Sequence, residues 1–306
     1  MITPSGKQIT IAAGDQQAVI VEVGGGLRTY SAGGRELIDG YRTDEMSSSG
    51  RGQVLIPWPN RLQDGSYEFG SRRHQVPLNE PERSNAIHGL VRWASWTAAD
   101  HEPHRAVMKY VLHPQPGYPF ALAISIEYSL SDSGLKVRTT ATNIGAEPCP
   151  YGSGVHPYLT LGTPIDRLML RAPGQTVLHS DARGLPTGTQ AVAGTPYDFR
   201  QSRRIGSTQM DHAFTDLERD QDGFAHVELR DPDRRTQVSL WVDRSYPYLM
   251  LFTGDPLPNV NRRSLGVEPM TCPPNAFRSG DAVVRLEPGS SFTGTWGITG
   301  IARGTA

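Results

Sequence analysis

Between positions 120 and 130 the chain alternates strictly. Phe120, Leu122, Ile124, Ile126, Tyr128 and Leu130 are separated by Ala121, Ala123, Ser125, Glu127 and Ser129. A helix would scatter those six large side chains around its circumference, whereas a strand puts all six on one face. Ser131, Asp132, Ser133 and Gly134 supply a turn, and Leu135, Val137, Thr139 and Ala141 resume the alternation beyond it. The segment predicts a β-hairpin with one apolar face. Such a face has to be covered by a second layer.

The rest of the chain is patterned to supply that layer. Residues 8–12 and 18–23 read as strands, and residues 24–26, all glycine, end the second. Further strands are expected at residues 167–171, 224–230, 237–242, 248–252, 282–287 and 292–298. No long helix is legible. The polar, Gly-, Thr- and Pro-rich stretch 174–204 reads as surface loops. Many short strands with turn signals between them predict an all-β fold, a large antiparallel β-sandwich. The 306 residues carry no linker, repeat or low-complexity tract, so they are expected to form one domain, 1–306.

Charge and cysteine content narrow the function classes. The formal net charge is -1, with arginines interleaved among acids, which argues against a nucleic-acid partner. Cys149 and Cys272 form no Cys-x-x-Cys pair, so neither a disulfide framework nor a zinc signature is present. The start, Met1 to Gln8, lacks a basic region followed by an apolar run, and no stretch approaches the ~18 apolar residues of a membrane span. The expectation is a cytoplasmic protein with no membrane partner, acting as a monomer or homodimer.

Four stretches offer chemistry. In the first, the apolar Val54 to Ile56 stops at Pro57 and Pro59, which cannot donate to a sheet ladder, and Asn60 and Arg61 follow at the strand end. His88 lies at the rim of the next apolar segment, with Trp58, Trp93 and Trp96 near in sequence. An amide, a guanidinium, an imidazole and flat aromatic faces suit a small hydroxyl-rich ligand such as a sugar. A turn arginine paired with a carboxylate and a structural histidine are the plainer alternative. In the second stretch, Pro157 forces His156 towards extended geometry after Gly152 and Gly154. The third holds Asp211 and His212 at a strand rim, where an acid can accept sugar hydroxyls or cap a turn. The fourth places Glu268 after a short apolar strand and before Pro269; a carboxylate there is costly unless partners meet it.

Taken in order, Pro-Asn-Arg, Ile-His-Gly-Leu with a Trp soon after, His-Pro-Tyr, Asp-His-x-Phe and Gly-Val-Glu-Pro resemble the aldose 1-epimerase (mutarotase) family. The likeness runs from about Gln53 to Phe277. Two flanks depart from the commoner forms: Val155-His156-Pro157, and Met-Thr-Cys-Pro-Pro after Glu268-Pro269. The resemblance implies a galactose mutarotase-like supersandwich with the sugar on the concave face of one sheet. It implies His156 as general acid and Glu268 as general base, with Asn60, Arg61, His88 and Asp211 binding a monosaccharide, and no metal or organic cofactor.

Mutarotation needs a base for the C1 hydroxyl proton and an acid for the ring oxygen. From ordinary values of ~4.3 for Glu and ~6.5 for His, the expected pair is Glu⁻ with His⁺, each charge favouring the other. Arg61 and His88 have no partner base in sequence and are expected to bind rather than react. The alternatives are a non-catalytic carbohydrate-binding or sugar-sensing module on the same fold, a glycoside hydrolase or lyase, which generally needs two carboxylates, and a sugar-phosphate epimerase. The last would need extra basic residues at the pocket, for which Arg51, Arg72, Arg73 and Arg92 are the candidates.

Overall fold

The expected hairpin forms as strands Leu122–Ser131 and Gly134–Asn143, paired antiparallel with Ile126 opposite Thr139. Leu122, Ile124, Ile126, Tyr128 and Leu130 are buried, and the residues between them lie towards solvent. The computed structural model describes residues 3–255, 257, 258 and 261–302. Met1 and Ile2, the start of the segment read above for a signal peptide, and the last four residues of the expected 1–306 domain lie outside the described residues.

Two large antiparallel sheets dominate. The back sheet runs Thr97–Glu102, Arg105–Leu112, Leu122–Ser131, Gly134–Asn143, Ser291–Ala302, Thr236–Val242, Ala225–Asp231, Met169–Arg171 and Arg203–Arg204. The front sheet runs Pro186–Ala191, Thr176–Ser180, Asp211–Thr215, Tyr248–Phe252, Leu265–Met270, Gly154–Val155 and Val54–Leu55, and Tyr158–Leu159 also pairs with Leu265–Met270. A further sheet, Gln8–Ala13, Gln16–Val21, Leu27–Ala32 and Arg35–Glu36, adds Ile11, Ile20 and Tyr30 to the same interior.

One continuous apolar cluster joins the inner faces of these sheets, with Ile124 and Val137 from the back and Val177, Leu251 and Val267 from the front. A separate small cluster, Leu178, Ala213, Met250 and Met270, lies among front-sheet residues. Glu268 pairs with Met250, which pairs with Ala213, and side chains opposite one another share a face. Glu268 therefore points with this small cluster, while its neighbour Val267 points into the main core.

The edges of both large sheets are short, charged or irregular. Thr97–Glu102 is exposed along its length, with a register shift between Ala98 and Asp100. Arg203–Arg204 is two residues long. Pro186–Ala191 is exposed, with a register shift between His179 and Ser180, and Val54–Leu55 is again two residues long.

Two expectations need correction. The stretch 174–204 is not all loop: it holds Thr176–Ser180 and Pro186–Ala191, the front-sheet edge hairpin, and Arg203–Arg204. Backbone pairing outweighs poor strand propensity at a sheet edge, where few side chains need burial. The strand expected at 167–171 begins only at Met169, after a 3₁₀ turn at Ile165–Arg167. The one α-helix among the described residues, Ala276–Ser279, has four residues, and no helix is long and apolar enough to cross a membrane.

The alternation makes a direct prediction. Ile126→Ala, at a side chain 2% or less exposed, should destabilise by about 2–5 kcal/mol in urea unfolding. Ser125→Ala, one residue away on the other face, should stay within about 0.5 kcal/mol. Equal effects at both positions would contradict the one-sided burial.

Candidate active site

Strand Arg61–Gln63 pairs with Asn85–Ile87, with Arg61 opposite Ile87, so Asn60 and His88 meet at the open end of a small hairpin. Both adopt positive φ, 55° and 65°. Asparagine and histidine tolerate that region better than most side chains, though such geometry still costs on the order of 1–3 kcal/mol and often marks functional sites. The Asn60 amide donates to Nδ1 of His88 at 3.2 Å, and the His88 amide donates to the Asn60 carbonyl at 2.9 Å. Because Nδ1 accepts, the neutral ring carries its proton on Nε2. Burial, and then the charges of His156, Arg92 and Arg61, hold His88 well below the usual histidine range. His88 therefore serves as a neutral donor.

His156 follows Gly154–Val155. Its amide donates to the Gln53 carbonyl at 3.1 Å, and its own carbonyl accepts from Gly52 at 2.9 Å. Its ring stacks on Tyr158 at 4.9 Å and 17°, and meets His88 edge-on at 5.5 Å. Tyr158 is fixed by donating to the Ser49 carbonyl at 2.7 Å, and the guanidinium carbon of Arg51 lies over its ring, 5.9 Å from the centroid. Gly50, at φ +77°, passes so close that a Cβ there would sit 2.5 Å from the His156 ring. Only glycine lets the 47–50 segment pack against the imidazole in this way.

Glu268 reaches the same point from the middle of Leu265–Met270. Its Oε1 lies 3.3 Å from Nε2 of His156, and both side chains are almost wholly buried. Burial, reinforced by the nearby Asp211 and opposed by Arg61, pushes the Glu268 carboxyl up to about 8. Burial pushes His156 down to about 3, with Arg92 and Arg51 acting in the same direction. The ionised Glu⁻/His⁺ pair expected from sequence is thus replaced at rest by a neutral carboxylic acid beside a neutral imidazole. Desolvation penalises both charges more than their mutual attraction repays. The pair shares one proton between these two limits, and titrates as a unit.

Arg61 is not without a partner. Its guanidinium forks onto Glu80 at 2.9–3.2 Å, and Asn85 donates to the same carboxylate at 2.9 Å. Gly184, from the loop of the front-sheet edge hairpin, packs directly against that guanidinium, where a Cβ would lie 2.6 Å away. Arg183 ties this loop to Asp64, Ser84 and Asn85. Glu80, Gly50 and Gly184 were missed from sequence. An acid in a polar loop and glycines in glycine-rich turns carry no local signal that distinguishes them.

These groups line one open cleft of about 560 Å³: Asn60, Arg61, His88, His156, Asp211 and Glu268 all contribute to its wall. All six residues singled out from sequence are therefore brought together. Of the tryptophans, only Trp93 lines it, 51% exposed at the rim; Trp58 and Trp96 are core residues, because a buried ring repays more apolar area than an exposed one. Of the four extra arginines, Arg92 lines the cleft and Arg51 lies behind it, bonded to Ser48 and 3.6 Å from Asp39. Arg72 and Arg73 sit on the hairpin Ser66–Phe69/Arg72–Gln75, paired with Glu147 and Ser66, away from the cleft. His212 points elsewhere, against Tyr197. Both cysteines are buried and unpaired with each other.

Unpartnered buried polar atoms gather here: Gln53 Oε1, Arg92 Nε, His156 Nδ1 and Glu268 Oε2. Native interiors seldom leave such atoms unsatisfied, and a cluster at a cleft points to a ligand. His88, His156 and Glu268 also offer ligand atoms within 4.8 Å of one another, a donor set of the His₂-carboxylate type that a zinc-like ion accepts. A second cleft, of about 580 Å³, is lined by Asp15, Tyr30, Asp132 and Gln237 among others and contains no histidine, so it lacks these acid–base groups.

Similarity to known proteins agrees with this geometry. The family profile described as Aldose 1-epimerase matches residues 7–299. An uncharacterized Escherichia coli protein, YihR, is 36% identical over 287 residues, 93% of this chain and 90% of its own length. The Aldose 1-epimerase of Escherichia coli is 26% identical over 242 residues, 71% of this chain and 66% of that protein. Among solved structures, the GalM/aldose epimerase homologue from C. elegans superposes with a TM-score of 0.86 at 18% identity, covering 96% of this chain and 98% of that one. Galactose 1-epimerase from Lactobacillus acidophilus gives 0.79 at 22% identity, covering 96% and 94%. These likenesses establish the galactose mutarotase-like β-sandwich.

The raised carboxyl carries a stability consequence. The folded chain keeps the Glu268 proton up to about pH 8, whereas an unfolded chain releases it near 4.5. The stabilisation is therefore full below about 4.5 and is lost as pH rises through 8. Glu268→Gln, which never ionises, should gain on the wild type as pH rises from 5 to 9, by on the order of a few kcal/mol. A difference between the two melting curves that stays flat across that range would refute the neutral resting carboxyl.

Proposed function

Because the chain belongs to the aldose 1-epimerase family, we propose that it interconverts the α and β anomers of an aldose, with Glu268 and His156 exchanging the protons. The observation that carries this reading is the 3.3 Å contact between their side chains in a buried, otherwise unsatisfied pair.

Moving the shared proton from Glu268 to His156 gives the reactive form, a carboxylate beside an imidazolium, at no change in net charge. The carboxylate takes the C1 hydroxyl proton, the C1 to ring-oxygen bond breaks, and the ring oxygen takes the His156 proton. The products are an open-chain aldehyde, a neutral carboxylic acid and a neutral imidazole, which is also the resting state of the pair. Rotation about C1–C2 presents the other carbonyl face. The C5 hydroxyl then adds while its proton returns to His156 and the Glu268 proton passes to the carbonyl oxygen. Burial that makes the ionised pair costly at rest thus favours the step that discharges it. His88 offers its Nε2 proton to a sugar oxygen, the Glu80-held Arg61 offers guanidinium protons, and Asn60 and Asp211 complete the polar wall. No step needs a metal or an organic cofactor, even though the donor set above is of a type that binds one.

Two features support catalysis over a non-catalytic sugar-binding module: both proton-transfer groups are present, and both are buried without competing partners. We extend the same reading to a single domain over 1–306 that acts in the cytoplasm as a monomer or homodimer.

Exchange spectroscopy or polarimetry on EDTA-treated, dialysed protein should show aldose anomers equilibrating faster than in buffer. Glu268→Gln and His156→Asn should each lower kcat by about two to four decades in well-folded protein. The profile of kcat/KM should fall above about pH 8, as Glu268 loses its proton, and at low pH only near 3, as His156 gains one. Residual activity of Glu268→Gln should lack the alkaline limb, the opposite of what unperturbed groups predict. Well-folded variants with near wild-type kcat would reject the assignment, and activity regained only with a divalent ion would reject the metal-free step.

Arg61→Ala and His88→Ala should raise KM by at least about tenfold, through loss of charge-assisted or neutral hydrogen bonds to the sugar. A collapse of kcat at constant KM would move either residue into the chemical step.

A further inference from the structure

The front sheet carries a third polar group beside the acid–base pair. Gly154 lies opposite both Leu55 and Met270, Val155 opposite Val54, and Tyr158 opposite Gly266. Continued to His156, these registers set Gln53 opposite it on one side and Glu268 on the other. Side chains opposite one another share a face. Gln53, His156 and Glu268 therefore form one row across three strands, and all three line the cleft. The Gln53 end of the row is a β-bulge. The His156 amide donates to the Gln53 carbonyl at 3.1 Å, but the His156 carbonyl accepts from Gly52, and the Gln53 amide turns back to the Gly50 carbonyl at 2.9 Å. Gly52 takes φ +65°, and a Cβ there would sit 1.8 Å from the Leu27 carbonyl oxygen. A bulge opened by a left-handed glycine re-aims the side chain beside it, and bulges collect next to active sites.

Gln53 finds no use for its carboxamide oxygen within the protein. The residue is 5% exposed, and its Oε1 has no hydrogen-bond partner. Val54–Leu55 is the last strand of the front sheet, so no further strand supplies one. A buried amide oxygen left unpaired costs free energy that an apolar side chain of the same shape would not. On the epimerase reading above, we infer that Gln53 is a further substrate-binding residue, whose carboxamide holds a hydroxyl of the aldose on the C4–C6 side of the ring. The position follows from the row. Glu268 serves the C1 hydroxyl and His156 the ring oxygen, so the next place along the row lies past the ring oxygen. That place faces C5 and the hydroxyls flanking it, on C4 and C6. The C2 and C3 hydroxyls leave C1 in the other direction, towards the Glu268 end. A carboxamide is neutral and offers both an acceptor and donors, which complements a hydroxyl in either role.

The test measures anomer exchange of glucose and its 2-, 3-, 4- and 6-deoxy forms by wild type and Gln53→Met, with calorimetric binding of each sugar in parallel. Methionine keeps the length of the side chain and removes its hydrogen bonds. Gln53→Met should lower kcat/KM for glucose by ~5- to 50-fold, as loss of a buried hydrogen bond does. In the wild type, either 4-deoxy- or 6-deoxyglucose should lose a similar factor, which assigns the hydroxyl. The variant should handle that same sugar within ~2-fold of glucose, because the partner is already gone. The 2- and 3-deoxy forms should lose equally in both proteins. Without ligand, Gln53→Met should melt at or above the wild type, since an unpaired polar group has been removed. Coupling of Gln53 to the C2 or C3 hydroxyl, or to none, would overturn the inference. So would a ligand-free variant that melts more than ~4 °C below the wild type, which marks a structural glutamine. If no sugar exchanges faster than buffer, the epimerase reading fails. Calorimetry then decides this one alone: glucose binding weakened by Gln53→Met and by loss of the C4 or C6 hydroxyl, without the two losses adding, upholds it, and any other pattern overturns it.

Discussion

Desolvation of one carboxyl governs this protein. Glu268 stands in the middle of a front-sheet strand whose neighbours face an apolar interior, and burial takes its ionised form away from water. Everything around it answers that cost. His156 is brought to 3.3 Å by the next strand, Tyr158 and Gly50 hold the imidazole in place, and the proton is kept inside the pair. An acid–base couple stored in its neutral form needs no counter-ions while empty, so the cleft can wait for ligand without collapsing onto itself. On the proposed mechanism, preorganisation of this type costs stability and favours the transition state.

The second constraint is geometric. Asn60 and His88 are held by reciprocal hydrogen bonds at the mouth of a three-residue hairpin, both in the left-handed region. That lock fixes the tautomer of the neutral histidine within the protein itself. Arg61, the next residue after Asn60, is held by Glu80, by Asn85 behind it and by the edge-hairpin loop at Gly184. The cleft wall is therefore assembled from segments distant in sequence, with Asn60 and His88 aimed by main-chain hydrogen bonds and Arg61 by the carboxylate of Glu80.

Sequence reading recovered what depends on local periodicity. The alternation at Leu122–Ser131 and Gly134–Asn143 is a one-dimensional record of which face is wet. Proline after Ile56 and His156 likewise marked where side chains leave regular pairing, whereas Glu268 stays paired within Leu265–Met270 despite Pro269. What stayed illegible depends on contacts across the fold. Glu80 resembles any loop acid until Arg61 is seen on it. Three tryptophans near one motif looked like a platform, yet two are needed to fill the core. The charge state of His156 and Glu268 was misread for the same reason: ordinary pKa values apply to solvated groups, and burial is a property of the whole molecule. The edge hairpin within 174–204 was read as loop because edge strands need little apolar alternation.

That hairpin belongs to a wider pattern. Each large sheet ends in a strand that is two residues long, charged, proline-led or thrown out of register. Open edges of long sheets are templates onto which another chain can add, and these devices spoil the template. A fold with so much antiparallel surface is in constant danger of growing into its neighbours. Here the ladders are made to run out at the molecule's own boundary, in edge strands that offer another copy's sheets little to pair with.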